Sequence, residues 1–281
     1  MPEAWLRVWE LLQLPFMQRA MVSGILTGVT GGLLGSFAIF RQLSFFSDAL
    51  GHSALLGIVL GVLLGVDPTW VLLPFGVVFA LGVTLILEHT QLSVDAVLNI
   101  IYSSSLALAV IALSLIQGYR GNLNQLLFGD ILGVSPTALW LSGILLLVSL
   151  LYIGLTLPSQ MLLTLHKPLA QARGVRVNWQ RTMFVVLLAL VVALSIRAIG
   201  VLLVSAFVVI PAATARVWAS SFSAYVLLAM LLGALSAVLG MLGSAVFNLP
   251  SGPSIVTTQL LLFVLSLGVK GARQTVTFSQ G

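Results

Sequence analysis

Two side chains able to hold a cation stand four residues apart in an otherwise apolar run. Asp48 and His52 lie in LSFFSDALGHSALLG, residues 43–57. On a helix that spacing puts both on one face, and Ser44 and Gly51 flank the same stripe. A carboxylate at the centre of a bilayer costs about 3 kcal/mol even on the lenient insertion scale, and such residues mark pathways, proton relays or ligand sites. Carboxylate plus imidazole, with no thiol, suits a divalent metal of borderline hardness such as zinc, manganese or iron. Two ligands fall short of the four of a closed structural zinc site. A transient station on a path fits better, because conduction needs binding weak enough to release. The plainer alternative is an Asp–His pair near the cytoplasmic interface that only caps or packs.

The elements that must position the pair are membrane helices. Of 281 residues, 59% are hydrophobic, only 7% are charged and the mean hydropathy is +1.16. Soluble domains carry about 25% charged residues, so the chain is read as a polytopic membrane protein. Long apolar runs lie near 20–40, 49–66, 69–87, 96–117, 137–157, 182–196, 199–216, 224–247 and 255–269. Each approaches the roughly 20 residues a helix needs to cross the hydrocarbon layer. The two around Arg197 are short enough to form one broken crossing, so eight or nine transmembrane helices are expected. The runs are too long and continuous for barrel strands, and the fold class is all-α.

Lys167, Arg173, Arg176 and Arg181 crowd one loop, which the positive-inside rule assigns to the cytoplasm. Counting nine spans from that loop also puts Arg41, Arg216, Lys270 and Arg273 inside, and Arg7, Arg19, Arg120 and Arg197 outside. The N-terminus is then external and the tail, 271–281, cytoplasmic. Residues 1–18 contain AWLRVWELLQLPFMQ, an amphipathic segment suited to the membrane surface, and residues 19–270 form the transmembrane domain. Gly24, Gly28 and Gly32 recur every four residues, as do Gly57, Gly61 and Gly65, and such stripes let helix backbones approach closely. Pro211 breaks or kinks one span, and Pro250 and Pro253 punctuate the turn before the last.

All seven acids lie in the first half of the chain. Asp67 precedes Pro68 in a turn, Glu88 and His89 end a span, Asp95 opens the next one, and Asp130 lies in a polar link. Nucleotide, hydrolytic and nucleic-acid chemistry find little support. No Walker A glycine-rich loop is present, so ATP would have to be bound by a partner chain. No H-E-x-x-H occurs. GHSAL lacks the second glycine of a nucleophile elbow, and Ser53, His52 and Asp48 on one helix make a poor triad. The basic residues are scattered through loops without interleaved aromatics, so no nucleic-acid partner is expected. The chain has no cysteine, hence no thiolate metal site.

GLLGSFAIFRQLSFFSDALGHSALLGIVLG resembles the first signature of the permease subunits of bacterial zinc/manganese ABC importers. LNQLLFGDILGVS resembles their central motif, LAQARGVRV their cytoplasmic coupling segment, and IGVLLVSAFVVIPAATA and LPSGPSIV their late motifs, in the family's order from about residue 17 to residue 270. The resemblance implies a type II importer-like permease in the bacterial inner membrane. It implies a homodimer carrying two ATP-binding cassette subunits and fed by an extracytoplasmic metal-binding protein. It further implies Asp48 and His52 as ligands to the transported ion; Ser44, Asp95 and Ser103 are candidate pathway positions beside them. A coupling segment near 164–178 would carry His166, Ala170, Arg173, Gly174 and Val175 to the ATPase. Zn²⁺ is the expected cargo, with no covalently bound cofactor. Ser103 stands where such permeases often carry a histidine, which leaves room for Mn²⁺ or Fe²⁺, and His166 stands where the coupling segment often has an acid. A gradient-driven secondary metal transporter is the chief rival; it would need inverted repeats, and none is evident.

Overall fold

A computed structural model describes residues 13–115 and 129–278, and ten helices stand among them. In chain order they are α1 (Pro15–Phe40), α2 (Phe46–Leu63), α3 (Pro68–His89), α4 (Val94–Ser114), α5 (Pro136–Leu165), α6 (Lys167–Ala172), α7 (Val177–Ile199), α8 (Val204–Trp218), α9 (Phe222–Phe247) and α10 (Ser251–Phe278). Eight are long and apolar enough to span a membrane, and α8 is a shorter apolar helix. The architecture is the all-α polytopic bundle the composition requires, because in hydrocarbon a helix satisfies its own backbone polar groups.

Local chemistry sets the ends. Ser93, Ser135 and Ser221 cap α4, α5 and α9, each side-chain oxygen accepting from a backbone N–H three residues on. Asn248, at φ 52°, closes α9 in a left-handed turn. α1 opens with Pro15 at its first position, so residues 15–18 already belong to a membrane helix, while residues 1–12 lie outside the described residues. The expected choice around Arg197 resolves as two helices. The break falls at Gly200, whose φ of 96° ends α7, and Pro211 sits inside α8. α5 runs on past its expected end near 157 to Leu165, with Pro158 inside it. Its last two turns therefore stand at the same end of the bundle as α6.

α1 is the central post, packed against α5, α7, α8 and α9. Its glycine stripe makes this possible. A Cβ on Gly28 would lie 2.3 Å from the carbonyl oxygen of Gly233, and one on Gly32 2.3 Å from that of Ala229, so α1 and α9 meet backbone to backbone. The second stripe behaves differently. Gly57 packs on Phe75 and Leu72, but Gly65 lies beyond α2 at φ 65° with open space around it, a turn residue rather than a packing one. The main apolar cluster joins Leu34 and Phe37 of α1, Phe46 and Leu50 of α2, Phe79 of α3 and Phe184 and Leu188 of α7. α4, α5 and α10 have large aliphatic residues on their outer faces, such as Ile111, Leu155 and Leu265, as lipid or a second chain requires.

Candidate functional site

α2 starts deep. The ring of Phe46 meets that of Phe79, midway along α3, with centroids 5.6 Å apart. The five residues before it form a tight turn in which Leu43 N–H donates to the carbonyl oxygen of Ala38 at 2.9 Å. Asp48 thus falls in the first turn of α2, where a carboxylate complements the exposed N–H groups of a helix start. His52 Nε2 stands 3.8 Å from Asp48 Oδ2. That is ion-pair range but too long for a hydrogen bond. The two side chains are 27% and 29% exposed, so neither is sealed in the core. The His52 ring lies 5.4 Å from that of Tyr102, midway along α4, which puts the pair well inside the bundle's length. On the neighbouring face, Gly51 is buried against Val201 and Val204, so the break between α7 and α8 abuts α2 one residue from His52.

The other predicted pathway residues are less closely gathered. Ser44 is half-buried in the turn before α2. Asp95 and Ser103 are exposed on α4, and what α4 turns toward His52 is Tyr102. Ser103 Oγ donates to Asn99 Oδ1 at 3.1 Å. Asn99 therefore joins Asp95 and Ser103 in a polar stripe of i, i+4 spacing that sequence reasoning missed; the spacing alone could have revealed it. Among the described residues no three His, Asp or Glu side chains gather to hold a metal ion. Asp48 and His52 of one chain place a carboxylate and an imidazole 3.8 Å apart. Ser53 is fully buried, with its hydroxyl unpartnered and no link to His52.

The predicted coupling residues form one compact unit. His166 ends α5 and caps α6, its Nδ1 accepting from Leu169 N–H at 3.2 Å. Ala170 is fully buried, and its carbonyl accepts from Val175 N–H at 3.0 Å. Gly174, at φ 75°, turns the chain into α7, while Arg173 is exposed.

Two further groupings escaped the sequence. At the end opposite α6, Arg197 Nη1 donates to Asp67 Oδ1 at 3.3 Å, and Asp130 N–H donates to the Arg197 carbonyl at 3.1 Å. These residues line the mouth of a cavity of about 350 Å³ whose wall includes Ser23, Thr27 and Ser195. Asp67 and Asp130 look like ordinary turn residues in the sequence, and only the chain path brings them together. At the α6 end, Arg41 Nε donates to Thr164 Oγ1 at 3.0 Å and Nη2 donates to Gln160 Oε1, while the guanidinium lies 4.3 Å from the Phe184 ring centroid. Burial pushes Arg41 down to about 10, which leaves it charged at neutral pH.

This arrangement has close parallels. Residues 13–270 match the model of the ABC 3 transport family. The high-affinity zinc uptake system membrane protein ZnuB of Haemophilus influenzae is 36% identical over 251 residues, covering 88% of this chain and 95% of the relative. The manganese import system permease protein ScaB of Streptococcus gordonii is also 36% identical, over 253 residues, covering 89% and 90%. Sequence identity thus favours neither metal. Among solved structures, PsaBC from Streptococcus pneumoniae in complex with Fab superposes with a TM-score of 0.80 at 31% identity, covering 92% of this chain and 94% of that one. An inward-facing metal-chelate type ABC transporter reaches 0.69 at 16% identity, a likeness of fold alone. Because the family model spans residues 13–270, the chain belongs to the ABC 3 transport family, as a multi-pass inner-membrane permease subunit of a divalent-metal ABC importer.

Proposed function

We propose that the protein passes Zn²⁺ inward between two copies of itself, with Asp48 and His52 of each copy as the station on the path. The observation that carries this reading is the pair itself: a carboxylate and an imidazole 3.8 Å apart, at mid-depth, each over a quarter exposed. One chain offers two ligands, whereas zinc favours four. Apposing the partly exposed faces of α2 in a twofold dimer would supply two carboxylates and two imidazoles. Held on side chains without further anchoring, the ion could leave again, as transport demands.

Direction and partners follow from charge and from what is missing. Among the described side chains Arg41, Arg173, Arg176, Arg181, Arg216 and Lys270 lie at the α6 end, against Arg19 and Arg197 at the other. That bias supports a cytoplasmic α6. α6, with His166, Ala170, Arg173, Gly174 and Val175, is then the segment that docks on a separate ATP-binding cassette chain, two per dimer. An extracytoplasmic binding protein delivers the ion to the opposite face.

Manganese is the second reading. It is favoured by the hydroxyl of Ser103 where an imidazole would strengthen a zinc site. The test is uptake of radioactive Zn²⁺ and Mn²⁺ by cells carrying wild type, Asp48→Ala or His52→Ala. Loss of a ligand should lower uptake of the native cargo by at least about tenfold at equal membrane level. Wild-type rates in both variants would refute the assignment, and uptake that survives ATP depletion would favour a gradient-driven carrier instead.

A further inference from the structure

Arg41 is unusual among the basic residues of the α6 end in being largely withdrawn from solvent. Among the described residues its guanidinium donates to no carboxylate. Nε donates to Thr164 Oγ1 at 3.0 Å, and Nη2 to both the backbone carbonyl and Oε1 of Gln160. The flat face of the cation lies against Phe184, with Phe37 beside it. Among the described residues Nη1 is buried with no acceptor. Gln160 is fully buried and its amide is fully used. Nε2 donates to Tyr152 Oη at 2.8 Å and to Gln180 Oε1 at 2.7 Å, which ties the end of α5 to the first turn of α7.

The two ends of this cluster matter. On one side, Thr164 is the penultimate residue of α5, and His166 both ends α5 and caps α6. On the other, Arg41 opens the turn into α2. That turn is closed by Arg41 N–H to Phe37 O at 3.1 Å, Leu43 N–H to Ala38 O at 2.9 Å and Phe46 N–H to Leu43 O at 3.0 Å, with Gln42 in the left-handed region at φ 57°. Little slack remains between Arg41 and Asp48. An unbroken run of direct contacts therefore joins α6 to the helix that carries Asp48 and His52.

We propose that Arg41 is a positioning residue that ties α2 to the end of α5, so that displacement of α6 moves Asp48 and His52. This rests on the ATP-driven importer reading above and goes beyond it by naming the tie. A planar guanidinium with several donors fixes the angle between the two helices as well as their distance, which a lysine cannot do.

The test uses the whole transporter, co-purified on a tagged permease and reconstituted in vesicles. Transport of Zn²⁺ or Mn²⁺ and ATP hydrolysis are measured on the same preparation. Arg41→Gln should hydrolyse ATP within about twofold of wild type, yet move at least about tenfold fewer ions per ATP, and Arg41→Lys should recover only part of that ratio. Thr164→Val, a milder change, should lower the ratio in the same direction, and it decides the matter if Arg41→Gln fails to insert. An unchanged ratio in these variants, or uptake and hydrolysis falling in parallel, would overturn the tie and leave Arg41 a structural anchor. A wild-type complex without ATP-dependent uptake would instead overturn the importer reading, and the tie with it.

Discussion

At the scale of single residues, the two ligand types at the candidate station differ in hardness. Imidazole is the borderline ligand that zinc favours, while oxygen ligands suit manganese. Replacing His52 by Asp makes the pair all-oxygen without removing a ligand, and we predict that the ratio of Zn²⁺ to Mn²⁺ uptake falls by about tenfold. Competitive uptake of the two radioisotopes checks this; an unchanged ratio would mean that His52 does not touch the ion. The Asp67–Arg197 pair calls for the opposite expectation. Both side chains are more than half exposed, and exposed pairs contribute about 0–1 kcal/mol. In a double-mutant cycle, Asp67→Asn and Arg197→Gln should therefore couple by no more than about 1 kcal/mol in the unfolding of the purified permease, and a larger coupling would show that the pair braces the fold.

At the scale of elements, the contact between α1 and α9 is set by missing side chains. The backbones meet where Gly28 faces Gly233, so no rotamer change can make room for a branched side chain there. Gly28→Val should cost at least about 2–3 kcal/mol, the upper range for overpacking, because the obstacle is the Gly233 backbone rather than a flexible tip. Detergent-extracted protein should then aggregate or run as a broadened species on size exclusion, whereas Gly143→Ala, with open space around it on α5, should behave as wild type. Equal behaviour of the two variants would contradict the packing. The glycine repeat in α1 announced this contact, since its period of four marks one helix face. The same period misleads at Gly65, because the helix ends at Leu63 and the last glycine serves a turn.

At the scale of the whole molecule, the candidate station is complete only if α2 and the polar stripe of α4 face a second copy. The chain has no cysteine, so a single Ser103→Cys variant reports on one site per copy. A short bifunctional maleimide should link two such chains in native membranes, and Leu155→Cys, on the exposed face of α5, should link far less. The reverse order would turn the dimer around and leave Asp48 and His52 facing lipid.

Much of this protein is legible without coordinates, for a physical reason. In hydrocarbon the backbone must close its own hydrogen bonds, so apolar run lengths map onto helices, and serines or prolines at their ends mark where each begins. The cost of a charge in oil likewise singles out Asp48 and His52 by position alone. Tertiary structure decided what depends on which helices become neighbours. It brings Arg41 to Gln160 and Thr164, more than a hundred residues away in the chain, and Asp67 to Arg197 and Asp130. No local periodicity encodes those meetings, because they follow from how glycine faces, bulky aromatics and the break at Gly200 pack together in three dimensions.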